Sequence, residues 1–214
     1  MLFLKKNTDH PLVKNRYIIL FIVIMSRLFL SPLVSTNWGF IIAPVFDFFL
    51  FAALMLIVQK FRKAFWILGA FGFIAVALGT FGGFAYAFGL FLFAAFIGIV
   101  AVELFSDLLG KKSVGLNEMI GALDGYILIG FIGAQLFLIV NFFFDNAFSN
   151  LSEGPAATQD LIYFSFITML TIGYGEIVPL IPAARNMVIL VGLLGQFYLV
   201  VVIATFVGKF MKDR

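Results

Sequence analysis

Six stretches of the chain, residues 17–34, 40–58, 64–79, 84–105, 119–144 and 184–208, run close to the length of about 20 apolar residues that a helix needs to cross a hydrocarbon core. Few folds are open to a chain built this way. In lipid every backbone N–H and C=O must be satisfied within the protein, which leaves helices for segments of this length. The composition points the same way: 63% of the 214 residues are hydrophobic, 12% are charged and the mean hydropathy is +1.13. A soluble domain could not cover that much apolar surface. The first stretch ends in SPLVSTNWGF, without a small-residue cleavage site, and reads as a retained span rather than a signal peptide. An all-α, multi-pass membrane protein of six spans is therefore expected.

Charge placement orients the spans. Lys5, Lys6, Lys14 and Arg16 precede the first; Lys60, Arg62 and Lys63 separate the second from the third; Lys111 and Lys112 separate the fourth from the fifth; Lys209, Lys212 and Arg214 follow the last. Twelve of the fourteen basic residues thus share one side, which the positive-inside rule makes cytoplasmic, with both termini there. A cell membrane location follows, plasma or inner, with lipid as a partner. Gly79, Gly82 and Gly83 mark a tight turn between the third and fourth spans. No basic cluster interleaved with aromatics suggests nucleic acid. The lone histidine, His10, reads as solvated, and the absence of cysteine excludes disulfides and thiolate metal sites. No span joins a nucleophile, a base and metal ligands, so an enzyme is not expected.

A seventh apolar run, residues 161–172, is too short to cross and falls on the outer side between spans five and six. It follows SEGPAATQD, in which Thr158 or Asp160 is a candidate cap for a short helix over 160–170. It ends in LTIGYGEIVP. Non-helical backbone at this depth is tolerated only when buried in protein or lining a water-filled path, so a re-entrant loop is expected. Extended backbone there presents a column of carbonyl oxygens able to replace a cation's hydration shell. Keeping successive carbonyls aimed one way needs alternating handedness, which Gly173 and Gly175 adopt cheaply. Thr171 adds a hydroxyl at the inner mouth, and Tyr174 is expected to wedge its ring against the supporting helix. The helix C-terminus, partly negative, faces the membrane interior and favours a cation.

The run Thr168-x-x-Thr171-Ile172-Gly173-Tyr174-Gly175-Glu176, followed by Ile177-Val178-Pro179, resembles the signature of potassium channels over roughly residues 119–210. The resemblance implies a K+ selectivity filter of Thr171, Ile172, Gly173, Tyr174 and Gly175, supported by Thr168, Tyr163 and Glu176. K+ is then the permeant ion, held at filter carbonyls only, with no cofactor. Tyr163 and Phe164 stand where many relatives carry two tryptophans; the Tyr163 hydroxyl is able to donate to Glu176, and Phe164 is not. Gly195 falls where such channels often have an inner-helix hinge, with close packing as the other reading. Gln196, Leu199, Ile203 and Val207 share a face by spacing and line the cavity, or else meet lipid or neighbouring helices. One pore loop per chain implies a homotetramer.

The chain divides into a four-helix, voltage-sensor-like module (1–105), a cytoplasmic linker (106–118) and a pore domain (119–214). The fourth span holds no Lys or Arg, so steep voltage sensing through it is excluded, given the three to four charges per subunit that sensing needs. Arg27 and Asp47 lie at similar depth in antiparallel spans and are expected to pair. Glu103 and Asp107 read as interfacial, and Asp124, near the start of span five, is a candidate functional carboxyl. The sequon at Asn150 is not read as glycosylated. The chain ends six residues after Gly208, so no cytoplasmic regulatory domain is expected, and a separate regulatory subunit is left open. The leading reading is a potassium-selective channel without a working voltage sensor. The alternatives are a less selective cation channel and a non-conducting sensor or auxiliary subunit that retains the pore fold.

Overall fold

The computed structural model describes residues 15–30, 39–58, 69–70, 84–111, 114–154 and 156–212. The third expected span, the glycine turn at 79–83, His10, Lys5, Lys6, Lys14, Lys60, Arg62, Lys63, Lys112 and Arg214 lie outside these residues, residues 69 and 70 of that span excepted. The described regular structure is helical: α1 (Arg16–Phe29), α2 (Gly39–Ile57), α3 (Phe84–Leu109), α4 (Leu116–Phe143), α5 (Ala156–Met169), α6 (Pro182–Phe197) and α7 (Ala204–Lys212), with a π-helical segment (Tyr198–Ile203) joining α6 to α7. Among the described residues, three helical stretches are long and apolar enough to cross a membrane: Ala87–Leu109, Leu116–Phe143 and Pro182–Met211. A shorter apolar helix covers Val45–Ile57.

The fourth span continues past its expected end to Leu109, and α4 begins at Leu116, so little chain lies between them. The start of α4 is closed by the Glu118 carboxylate, which accepts the Gly115 backbone N–H at 3.0 Å. This half of a capping box satisfies one otherwise orphaned donor.

Helix α4 is the common wall of the fold, packing against α1, α3, α5, α6 and the π segment. It does so by omitting side chains. A Cβ on Gly121 would lie 3.0 Å from the Tyr17 ring, one on Gly125 2.1 Å from the Tyr198 hydroxyl, one on Gly130 2.5 Å from Phe166, and one on Gly133 2.4 Å from Ser165 Oγ and 2.7 Å from Val191. Small residues let helix backbones approach closely where lipid supplies no hydrophobic drive to association. Two apolar cores result. One joins α1, α2, α3 and the inner half of α4 through Leu20, Leu54, Phe96, Ile97 and Leu104. The other joins the outer half of α4 to α5 and α6 through Phe137, Leu161, Phe164, Met169 and Val191.

Two ion pairs tie the first half together. Arg27 Nε lies 2.6 Å from Asp47 Oδ1, linking α1 to α2. Arg16 and the Tyr17 hydroxyl both donate to the Asp107 carboxylate, linking the start of α1 to the end of α3. Asp107, read from sequence as interfacial, thus anchors two buried side chains. These contacts bring the start of α1, the end of α3 and the start of α4 to one face.

Gly133→Val is expected to destabilise the folded protein by about 1–3 kcal/mol, the usual cost of overpacking a close helix contact. Gly98→Ala, where an added Cβ meets nothing within 4 Å, is the control and should lose nothing. Thermal midpoints in detergent micelles compare the two.

Candidate functional site

The site is built around α5, whose 14 residues span roughly 21 Å at 1.5 Å per residue, too short to cross a bilayer. The helix starts at Ala156, ahead of the 160–170 expectation, and neither Thr158 nor Asp160 begins it. Asp160 instead accepts the Ser152 backbone N–H at 2.6 Å, tying the preceding loop down. The helix is held by its buried side: Ser165 Oγ donates to the Gly130 carbonyl of α4 at 2.7 Å. Phe164 lies in an aromatic triad with Phe137 and Phe148, at centroid distances of 5.3 and 5.7 Å. A residue that cannot donate a hydrogen bond therefore anchors the helix by packing instead.

The end of α5 turns the chain into the TIGYG run. The Ile172 N–H bonds the Ile167 carbonyl at 2.9 Å and the Thr171 N–H bonds the Thr168 carbonyl at 3.1 Å, the pattern of a Schellman cap. That cap needs a left-handed residue at its turning point, usually glycine. Here it is Thr171, with φ of 57°. Gly173 and Gly175 follow at φ 53° and 89°. Positive φ thus recurs at every second residue from Thr171 to Gly175, the alternation expected of the glycines but begun one step earlier, on a β-branched residue for which it is strained. The Thr168 hydroxyl donates to the Phe164 carbonyl at 2.7 Å.

Past the filter run, the chain returns as extended backbone pinned to residues 147–150. The Leu180 N–H bonds the Ala147 carbonyl at 2.9 Å, the Ser149 N–H bonds the Val178 carbonyl at 3.0 Å, and the Val178 N–H donates to Ser149 Oγ at 3.1 Å. Phe148 and Pro179 form an antiparallel bridge. Asn150, at φ 53°, donates its side-chain amide to the Glu176 carbonyl at 2.7 Å. Arg185, the one basic residue on this side in the sequence, donates to the carbonyls of Pro179 and Leu180 at 3.3 and 3.2 Å. The neighbouring Glu176 carboxylate raises the Tyr163 hydroxyl above the ordinary phenol range. Asn150 and Ser149 were not singled out as support from sequence; a residue type that tolerates left-handed backbone was the available signal.

Tyr174 does not wedge against α5. Its side chain is 74% exposed, and the whole run from Thr171 to Glu176 is exposed. Below the run, the Met169 carbonyl at the end of α5 is approached by the Tyr126 hydroxyl of α4 at 3.4 Å and by Gln196 Nε2 of α6 at 3.1 Å. Gln196, expected at the cavity, ties α6 to the end of α5. The helix is regular through Gly195, where an added Cβ would meet the Met169 side chain at 3.0 Å; this glycine is a point of close packing. The irregularity comes three residues later, in the π segment, where the Ala204 N–H bonds the Leu199 carbonyl five residues back. The wider π turn shifts the phase of every residue after it. Leu199 and Ile203 are half-buried against the two cores, while Val207 is exposed.

Residues 131–212, from the middle of α4 through the TIGYG run to the end of α7, match the sequence family described as Ion channel. No curated protein and no solved structure matches the chain. The match supports an ion channel of the pore-domain type, and with it passive ion conduction by a membrane protein.

Thr171→Gly and Thr171→Ala both remove the hydroxyl, yet only glycine relieves the left-handed backbone. The glycine variant should be the more stable by about 1 kcal/mol. Equal thermal midpoints for the two would show that residue 171 does not hold this conformation.

Proposed function

We propose that the protein is a potassium-selective channel that passes K+ passively through a filter of Thr171, Ile172, Gly173, Tyr174 and Gly175, assembled as a homotetramer and not steeply gated by voltage. The observation that carries this reading is the alternation of positive φ at 171, 173 and 175. It gives successive carbonyls a common direction, and a column of such oxygens substitutes for the water around a dehydrated cation. The end of α5 adds a favourable field for that cation.

The exposed surfaces support assembly. Irregular backbone at membrane depth must be enclosed by protein, and one chain leaves the filter run bare on the side away from α5. Tyr174 stands clear of its own helix, as a ring does that packs on a neighbouring copy. The inner helix is the most apolar of the three candidate spans, yet only 17% of its most apolar window is buried, against 50% for α4. Three further copies around a common axis would cover the filter run and part of that face.

Both termini are read as cytoplasmic, from the placement of the basic residues and from the contacts that bring the start of α1, the end of α3 and the start of α4 together. Within the described part of the first four spans, Arg16 and Arg27 are tied to Asp107 and Asp47, a fixed pairing that supports the reading without a working voltage sensor.

Flux into liposomes under potassium and then sodium gradients tests the reading. Potassium flux that barium stops is expected, and Gly173→Ala, which places a Cβ on a backbone at φ 53°, should abolish it. Equal sodium flux would make the protein a less selective cation channel; a folded tetramer that conducts neither ion under any condition would overturn the channel reading.

A further inference from the structure

Asp124 has no part in the filter. It lies on α4 roughly 12 Å from Leu116 along the helix, at 1.5 Å per residue, and is 0% exposed. Neither carboxyl oxygen has a hydrogen-bond partner in the structure. A carboxylate buried without a partner is severely destabilised, whereas the neutral acid is tolerated.

The neighbour that matters is Tyr198. Its hydroxyl donates to the Ala122 carbonyl at 2.8 Å, and it fits there because Gly125 has no Cβ; one would lie 2.1 Å from that oxygen. Asp124 immediately precedes Gly125 on α4, near enough for its charge to act on the Tyr198 hydroxyl. Tyr198 is also the first residue of the π segment, so the notch fixes the one irregular turn of the inner helix to the outer helix. Its ring lies 6.2 Å from that of Tyr126, whose hydroxyl approaches the Met169 carbonyl below the filter.

Among the described residues, several charged groups on the elements around α4 have partners of their own, Arg27 with Asp47 among them. Arg16 and Tyr17 of α1 are held by Asp107 of α3, with Glu103 one turn before it. Lys209 of α7 lies over the Phe206 ring. The charged residues of α5 and α6, Asp160 and Arg185, hold backbone groups at the outer end.

We propose that Asp124 and Tyr198 form a proton-operated latch between the outer and inner helices. With Asp124 neutral, Tyr198 stays in the Gly125 notch and the π segment is fixed. With Asp124 ionised, the carboxylate draws water into the notch, Tyr198 leaves, and the inner helix is free to move. The docked state therefore prevails at low pH and is lost as pH rises. One proton per copy changes the docked-to-released ratio by up to about tenfold per pH unit. The consequence for conduction, opening on the alkaline side, rests on the channel reading; the latch itself does not.

The chain has no cysteine, so a spin label on Val207→Cys reports the separation of inner helices between copies in full-length protein in nanodiscs. A parallel infrared titration follows the protonated carboxyl signal. As pH rises, that signal should fall and the separation should widen over the same range. Asp124→Asn should lack the signal and stay docked at every pH. Asp124→Glu should keep a transition, and Tyr198→Phe should move it to lower pH.

A separation that ignores pH, or an Asp124→Asn protein that moves as the wild type does, overturns the latch. Should Asp124→Asn fail to assemble, Tyr198→Phe with an unshifted transition does the same. Label movement that follows Asp124 in a protein that never conducts would support the latch and count against the channel. Potassium flux with a pH-insensitive label would do the reverse.

Discussion

Helix α4 meets α1, α5, α6 and the π segment at Gly121, Gly125, Gly130 and Gly133, positions that carry no Cβ, and the rest of the structure is spaced by that absence. Bilayer lipid is as apolar as any side chain, so helices gain little by turning leucines towards one another. Close approach supplies the attraction instead, through dispersion and through hydrogen bonds that reach main-chain carbonyls. Ser165 bonds the carbonyl of Gly130 and Tyr198 that of Ala122, and both bonds need a partner backbone that is not screened by side chains. The height of α5, and with it the depth of the TIGYG run, is set by these contacts.

The TIGYG run itself is held at both ends and bare in the middle. A Schellman cap with Thr171 at its turning point delivers the chain from the helix, and hydrogen bonds to residues 147–150 and to Arg185 collect it on the far side. Threonine in a left-handed conformation stores strain that a glycine would not. The surroundings must over-determine that conformation, and the Schellman hydrogen bonds on either side of Thr171 do so.

How much of this could be read in the chain depended on whether a feature was local. The glycines of the TIGYG run, the short helix before it and the two bounding helices were legible, because each follows from residue type and run length. Arg27 and Asp47 were legible as partners from their depth in adjacent antiparallel segments. The π segment was not: LVVVI is uniformly apolar and without glycine or proline, so nothing marks the extra residue per turn, and the cavity face reckoned at 3.6 residues per turn loses its phase there. The role of Asn150 was hidden as well, since its partner lies 26 residues away across a loop. Asp107 looked like a boundary residue because its partners, Arg16 and Tyr17, lie about 90 residues earlier in the chain. The start of α5 was placed late because capping residue types, Thr158 and Asp160, occur within its first turns, where Asp160 serves a neighbouring loop.

The two ion pairs of the first half close at very different moments in the life of the chain. Arg27 and Asp47 are 20 residues apart, so both are made almost together and α1 and α2 can leave the ribosome as a neutralised hairpin. Arg16 must wait for Asp107, 91 residues further on, which at roughly 5–20 residues per second is a delay of about 5–18 seconds. For that interval the first turn of α1 carries an unmatched positive charge, best kept in the aqueous headgroup region. The completion of α3 is then what draws Arg16 and Tyr17 into their final burial, making the seating of the first helix one of the last steps in the maturation of the module it begins.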